Sequence, residues 1–125
     1  MSAAAVARSY VESFATGDPD LVAGHVTDDF VNEHTAALGS GCVGRYEYRS
    51  RLPGFLSTFA GLHYAIEDVV ADGDRAMVPY TMHATHDGHP VTIRGVMRIE
   101  VRDGKVARRV DYWDALTFLK QVGQA

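Results

Sequence analysis

The chain has 125 residues, 46% of them hydrophobic and 22% charged, with a formal net charge of -4 at pH 7. This composition predicts one globular domain over residues 1–125 that buries its own core. The negative charge, without a run of Lys and Arg, argues against a nucleic-acid partner, and the apolar stretches are too short to span a membrane. The single Cys42 excludes an internal disulfide. With no recognisable signal peptide, we expect a cytoplasmic location.

The first third of the chain predicts two helices and a strand. Apolar residues of segment 3–14 fall on one helical face, Ser2 can cap that helix, and Thr16-Gly17 ends it. Asp18-Pro19 then starts a short second helix, because Asp is a favourable N-cap and Pro suits the first turn. Residues 28–34 predict a strand, and a glycine-rich loop follows over residues 39–44.

A third helix is predicted over residues 45–60. Its apolar positions recur at helical spacing and include Leu56 and Phe59, which we expect to face a cavity. Pro53-Gly54 interrupts the pattern, so we expect a kink or two short helices.

The second half of the chain predicts strands and turns. Three Asp-Gly pairs, at 72–73, 87–88 and 103–104, separate four long runs of strand-forming residues. Asp-Gly is a strong hairpin signal because both residues tolerate positive φ. These runs predict a four-stranded antiparallel meander joined by strand 29–34 at an edge, with a last helix over residues 115–122. The fold class is therefore α+β, a strongly curved antiparallel sheet packed with three to four helices to form a cone with a cavity.

Alternation along the two central strands assigns their inward faces. Gly95 lies on one of these faces and is a plausible bend point. The outward partners of the apolar stripe include Arg94 and Arg98, which supports the assignment. The inward residues that we expect to shape a cavity are Tyr80, Met82, Ile93 and Met97.

The last predicted strand, Lys105–Asp114, carries the strongest chemical signal. Asp111 falls beside Trp113 on one face, and a carboxylate among large apolar groups should have a raised pKa. Such a carboxyl group suits proton transfer near neutral pH, although an aspartate near a strand end more often is solvated or caps a turn. Arg108 and Arg109 form a local basic cluster that we interpret as a solvated face.

Asn32 and His34 share a face with Phe30 on the first strand. Buried polar groups need partners, so these side chains either bond each other and Asp111 or hold water and a ligand. An imidazole beside a carboxylate would be pushed toward its charged form.

No metal site or cofactor is predicted. His83 and His86 point to opposite faces of one strand, and His89 lies past a turn, so the three do not form a zinc site. Phosphate-binding loops, dinucleotide fingerprints and Ser-His-Asp patterns are also lacking.

The chain resembles the nuclear transport factor 2-like superfamily, in its SnoaL-like branch, over nearly its whole length. The motifs are modest singly, and their order and spacing carry the resemblance. They are Phe14–Asp18 with Leu21 and Asp28-Asp29, Val43–Arg45, Val69–Arg75, and Asp103–Val106 continuing through Asp111–Asp114 to Leu119–Gly123.

The resemblance implies a conical pocket and a homodimer formed through the sheet. Limonene epoxide hydrolases end their sheet with a segment similar to Val110–Asp114, which places Asp111 on the catalytic aspartate and Trp113 and Phe118 on pocket aromatics. Asn32 and His34 fall on the pair of polar pocket residues. These hydrolases also use an Arg-x-Asp pair on a middle strand, and the corresponding residues 76–82 lack that pair. The cyclases of the family resemble a simpler arrangement, in which one aspartate acts as acid and base.

We therefore predict an enzyme of cyclase or isomerase type that acts on a hydrophobic, oxygenated molecule resembling a polyketide or terpenoid. Asp111 would exchange the proton, while Asn32 and His34 orient the substrate oxygen or a water. The alternatives are a binding domain without catalysis, a dimerising scaffold and an epoxide hydrolase-like activity without the usual pair.

Overall fold

The computed structural model describes residues 1–125 as four α-helices, one 3₁₀ turn and a seven-stranded sheet. The helices are α1 (Ala3–Ser13), α2 (Pro19–Ala23), α3 (Arg45–Thr58) and α4 (Ala115–Gln121), with the 3₁₀ turn at Phe14–Thr16. The strands are β1 (Val26–His34), β2 (Cys42–Val43), β3 (Ala60–Ile66), β4 (Val70–Asp72), β5 (Arg75–His86), β6 (His89–Arg102) and β7 (Lys105–Tyr112). The α+β prediction, with helices against a curved sheet, is confirmed. None of the helices combines the length and apolar character needed to cross a bilayer.

The strands are ordered β2-β1-β7-β6-β5-β3, with β4 paired to β5. The predicted antiparallel meander is present in β5, β6 and β7. The sheet as a whole is mixed, because β1 runs parallel to β7. The strand β1 is not at the edge as predicted, since the two-residue strand β2 pairs with its other side. Parallel neighbours need a long connection, and α3 with the meander provides it here.

Local turn chemistry explains two of the hairpins. Asp87-Gly88 and Asp103-Gly104 have φ values of 50° and 78°, and 53° and 75°, so both residues of each pair use the left-handed region. At the remaining pair only Gly73 has positive φ, 62°, and Asp72 is the last residue of β4. The run predicted before that turn is divided into β3 and β4, which both pair with β5.

The core lies between α1, α3 and the inner face of the sheet. The predicted apolar face of α1 is the face that packs on the sheet, since its apolar residues are buried against β5 and β6. Ser2 accepts a hydrogen bond from the Ala5 amide at 3.1 Å, and Asp18 accepts one from the Asp20 amide at 2.9 Å, so both predicted N-caps are present.

Helix α3 is one continuous helix, so of the two outcomes expected at Pro53-Gly54 the division into two short helices is wrong. Pro53 removes one amide donor in the helix interior. Tyr48 and Leu52 on the same helix are buried in the core, and this packing holds the backbone helical through the proline.

Helix α4 covers the part of β6 that β7 leaves free, because the pairing of these strands begins only at Val96. The Gln121 side chain accepts from the Thr92 amide at 2.8 Å and donates to its carbonyl at 2.7 Å. Asp114 caps α4 by accepting from the Leu116 amide at 3.0 Å. The strand predicted to reach residue 114 therefore ends at Tyr112, and its last two residues lead into α4.

Met97 on β6 is fully buried, whereas Met77 on the neighbouring strand is 39% exposed. We expect Met97→Ala to lower the free energy of unfolding by about 2–5 kcal/mol, because it leaves a cavity in the core. The matched variant Met77→Ala should cost less than about 0.5 kcal/mol. Urea denaturation measures both, and equal small losses would contradict the placement of Met97 in the core.

Candidate functional site

A cavity of about 270 Å³ opens at the end of the cone between the sheet, α3 and α4. Nine of its 14 lining residues are hydrophobic. The cavity brings together eight of the residues predicted from the sequence: His34, Phe59, Tyr80, Met82, Ile93, Asp111, Trp113 and Phe118.

Three predicted site residues lie elsewhere. Met97 is wholly inside the core and does not reach the cavity. Leu56 also lies outside the lining, and Phe55, its neighbour on α3, takes that place. Helical spacing admits both positions, so only the orientation of α3 on the sheet decides between them. Asn32 is buried at 8% exposure and lines a second, adjoining cavity.

Arg109 is the main residue that sequence reasoning placed wrongly. It is 3% exposed rather than solvated, and its Nη2 donates to Asp111 Oδ2 at 2.8 Å. The signal was present, because alternation that turns Asp111 inward also turns in the residue two positions before it. An Arg-x-Asp pair therefore exists in this chain, on β7 rather than on β5, the strand that contains residues 76–82.

The other oxygen of Asp111 is also occupied. The Tyr80 hydroxyl donates to Asp111 Oδ1 at 2.6 Å. Gly95, opposite Tyr80 in the β5–β6 register, makes this approach possible, because a Cβ there would overlap the Tyr80 hydroxyl and lie 2.6 Å from the Tyr112 carbonyl oxygen. Asp111 thus sits in a polar clamp of two hydrogen-bond donors rather than among apolar groups alone.

His34 lies in register with Asp111 on the neighbouring strand, and its Nδ1 is 3.9 Å from Asp111 Oδ2. The pKa of His34 is lowered to about 4, chiefly by burial and next by the positive charge of Arg109, which together outweigh the opposing effect of Asp111. The predicted shift toward a charged imidazole is therefore wrong. Trp113 Nε1, which can only donate, is 3.1 Å from His34 Nδ1, so the neutral ring carries its proton on Nε2.

Aromatic side chains from α1 and α3 complete the surroundings of Arg109. Its guanidinium carbon lies 5.5 Å from the Phe14 ring centre and 6.0 Å from that of Tyr10. The hydroxyls of Tyr10 and Tyr48 are 2.5 Å apart, and Arg109 Nη1 donates to Tyr10 at 3.5 Å. Burial raises the pKa of both tyrosines, so they remain neutral donors.

The second cavity, of about 320 Å³, lies between β1, α3 and Arg109. It shares four lining residues with the first, namely His34, Ser40, Phe55 and Arg109. Asn32 Oδ1 and Arg109 Nε are buried and have no hydrogen-bond partner within the protein. No acidic side chain lines this cavity.

The segment of residues 35–41 closes one side of both cavities. The Thr35 amide donates to the Asp111 carbonyl at 3.0 Å, and Arg51 Nη1 donates to the Gly41 carbonyl at 2.8 Å. Gly39 passes directly over His34, where any Cβ would overlap that side chain. The segment is thus tied to β7 at one end and to α3 at the other.

The histidines outside the cavities have other neighbours. His83 stacks on His63 with ring centres 5.0 Å apart, and His86 stacks on Phe59 at 5.2 Å. No three His, Cys, Asp or Glu side chains are grouped to hold a metal ion.

Solved structures share this architecture over nearly the full length of the chain. A protein from Catenulispora acidiphila with a ketosteroid isomerase-like fold, solved with trimethylamine, has a TM-score of 0.87 and 15% identity over 96% of this chain and 93% of its own. An LEH-like epoxide hydrolase from Mycobacterium tuberculosis has a TM-score of 0.83 and 21% identity over 98% and 90%. TerC, crystallised with polyporic acid, has a TM-score of 0.81 and 21% identity over 95% and 96%.

At these identities the structural neighbours establish the fold alone. A comparison with curated proteins finds no match. The family is established by the sequence itself, since the model of the SnoaL-like domain matches residues 7–109. That match runs from α1 to Arg109 of the buried clamp, and the chain belongs to the SnoaL-like domain family.

Proposed function

We propose that this protein is an enzyme that moves a proton on a small, hydrophobic, oxygenated molecule, with Asp111 as the proton-transfer group. One observation carries the proposal: Asp111 is the single carboxylate that lines either cavity, and it faces a mostly apolar space. A buried base beside an apolar substrate site is suited to removing a proton from carbon next to a carbonyl.

The surrounding donors fit that role. A carboxylate has about four lone-pair sites, and Arg109 and Tyr80 occupy one on each oxygen, so acceptor sites remain for a substrate proton. These donors hold the carboxylate in one orientation. His34 supplies a neutral Nε2–H at the same cavity, which can donate to the substrate oxygen as negative charge develops there.

The class of substrate follows from the family and the cavity. A SnoaL-like domain with an apolar cavity of about 270 Å³ suits a polyketide- or terpenoid-like molecule and a cyclase or isomerase reaction. The cavity would be shaped, and water excluded from it, by Tyr80, Met82, Ile93, Trp113 and Phe118. The proposed chemistry is a proton transfer, which implies no cofactor.

Two alternatives have specific support. Both oxygens of Asp111 already accept hydrogen bonds from Tyr80 and Arg109, as in a structural ion pair, which favours a binding domain without catalysis. The Arg109-x-Asp111 pair favours an epoxide hydrolase-like reaction, although no second carboxylate lines the cavity to act as the acid.

Deuterium exchange tests the proposal without knowledge of the product. The substrates are a panel of hydrophobic cyclic ketones and 1,3-diketones in D2O. The protein should catalyse exchange of the hydrogens on the carbon next to the carbonyl, and NMR measures the rate of that exchange. Asp111→Asn should reduce the rate at least about 100-fold, since general acid–base catalysis contributes about 10²–10⁴-fold. Asp87→Asn, on an exposed turn, should leave it unchanged. Diol formation from epoxides in place of exchange would favour the hydrolase, and neither reaction would favour the binding domain.

Loss of Asp111 also affects the fold, so a stable inactive control is needed. Asp111→Asn leaves Arg109 as an uncompensated buried charge, which costs about 3–5 kcal/mol. Replacing the whole clamp, with Tyr80→Phe, Arg109→Met and Asp111→Leu together, should restore most of that stability. This triple variant should be folded and unable to exchange hydrogens; exchange by it would overturn the role of Asp111.

Stability should fall as His34 is protonated. Its folded pKa of about 4 lies below the usual 6.5, so the neutral ring stabilises the fold fully above pH 6.5, and this contribution is lost as the pH falls toward 4. The loss should be on the order of 3 kcal/mol. Urea denaturation of the protein and of His34→Gln between pH 7 and pH 4 isolates the contribution of His34 to the free energy of unfolding. Parallel pH curves for the two proteins would contradict a buried neutral His34.

We also propose a cytoplasmic location and, from the family resemblance, a homodimer formed through the sheet. Ion pairs such as Arg108–Glu33 at 2.7 Å make the outer face of the sheet polar. Light scattering of the purified chain should give twice the monomer mass of 13.6 kDa, and the mass of one chain would refute the dimer.

A further inference from the structure

The second cavity contains buried polar groups that the protein does not satisfy. Asn32 is 8% exposed and Arg109 is 3% exposed, yet Asn32 Oδ1 and Arg109 Nε have no partner. Leaving such a group unpaired costs about 1–3 kcal/mol. Their position in the lining of one cavity indicates that something polar belongs there.

The charged side chains that line the second cavity indicate that its ligand is an anion. Two arginines line it, Arg109 from β7 and Arg51 from α3, and no carboxylate does. Asp111 binds Arg109 from the first cavity, and Glu47 binds Arg51 Nε at 2.9 Å from the helix surface. Neither acid bonds Arg51 Nη2, so a donor of this guanidinium group remains available to a ligand, and the positive charge of Arg109 lines the same cavity.

Asn32 can serve the same ligand. Its amide lies beside Cys42, its partner in the β1–β2 register, and the thiol can pair with either end of the amide. The amide can therefore turn its NH₂ group into the cavity when an oxygen anion is present. Arg51 and Ser40, themselves hydrogen bonded at 3.3 Å, lie at the rim.

The two cavities adjoin at His34, Ser40, Phe55 and Arg109. A rigid molecule with an apolar body in the first cavity can thus extend a polar group into the second. A guanidinium group forms strong, charge-assisted hydrogen bonds with a carboxylate.

We infer that the second cavity is a subsite for a carboxylate on the substrate, so that the protein acts on hydrophobic oxygenated acids rather than on neutral molecules. This inference rests on the proposed function for the chemistry at Asp111. The carboxylate would bind Arg51 Nη2 and be stabilised by the positive charge of Arg109, with the apolar body between Phe55, Phe59 and Trp113.

Binding of 2-naphthoate and 2-naphthamide, which differ only in the charged group, tests the subsite. Calorimetry at pH 7 and low salt should show the acid binding at least about tenfold more tightly, as expected for a hydrogen bond to a charged partner. Arg51→Gln should reduce the affinity for naphthoate about tenfold and leave that for naphthamide unchanged. Arg51→Lys, which keeps the charge, should retain part of the preference.

Arg49→Gln is the matched control, because Arg49 lies on the same helix, pairs with Asp20 at 2.7 Å and lines neither cavity. It should not change either affinity. Equal affinities for the two probes, tighter binding of the amide, or no binding of either would overturn the subsite. Loss of the preference while neutral ketones still exchange deuterium would refute this inference alone and leave the proposed function intact.

Discussion

A buried ion pair between Arg109 and Asp111 organises the functional end of this protein. Both side chains are 4% exposed, so neither charge is stabilised by bulk water. Desolvation of two such charges costs several kcal/mol each, and their attraction offsets this only with good geometry and further hydrogen bonds. Tyr80 provides one such bond to Asp111, and Tyr10 with Phe14 surrounds Arg109.

This requirement couples distant parts of the chain. Tyr80 comes from β5, Tyr10 from α1 and Tyr48, which bonds Tyr10, from α3. The helix layer and the sheet therefore meet through one polar network as well as through apolar packing. A fully satisfied network of this kind restrains its members to one arrangement, and the same restraint presents Asp111 to the cavity in a single orientation.

The polar groups of the site are held in defined states by their neighbours. Asp111 is held by a permanent cation, His34 is kept neutral by burial and by that same cation, and its tautomer is set by Trp113. An anion acceptor and a neutral donor thus face one cavity, an arrangement suited to proton transfer. Arg109 also lines the second cavity together with Asn32, and a buried polar atom of each of these side chains lacks a hydrogen-bond partner.

Much of the fold could be predicted because its determinants are local. The face of α1, the N-caps and the Asp-Gly hairpins depend on residues a few positions apart, and strand alternation correctly turned Tyr80 and Met82 inward. The parallel β1–β7 pairing could not be predicted this way, since no local signal joins strands separated by most of the chain.

The sequence by itself determined the order of the helices, the inward faces of the central strands and the inward position of Asp111. Only the tertiary structure decided that Arg109 is buried, that Phe55 rather than Leu56 lines the cavity, and that His34 is neutral. The reason is physical: burial and charge depend on groups that approach from other elements, and a long polar side chain follows its partners rather than its own propensity.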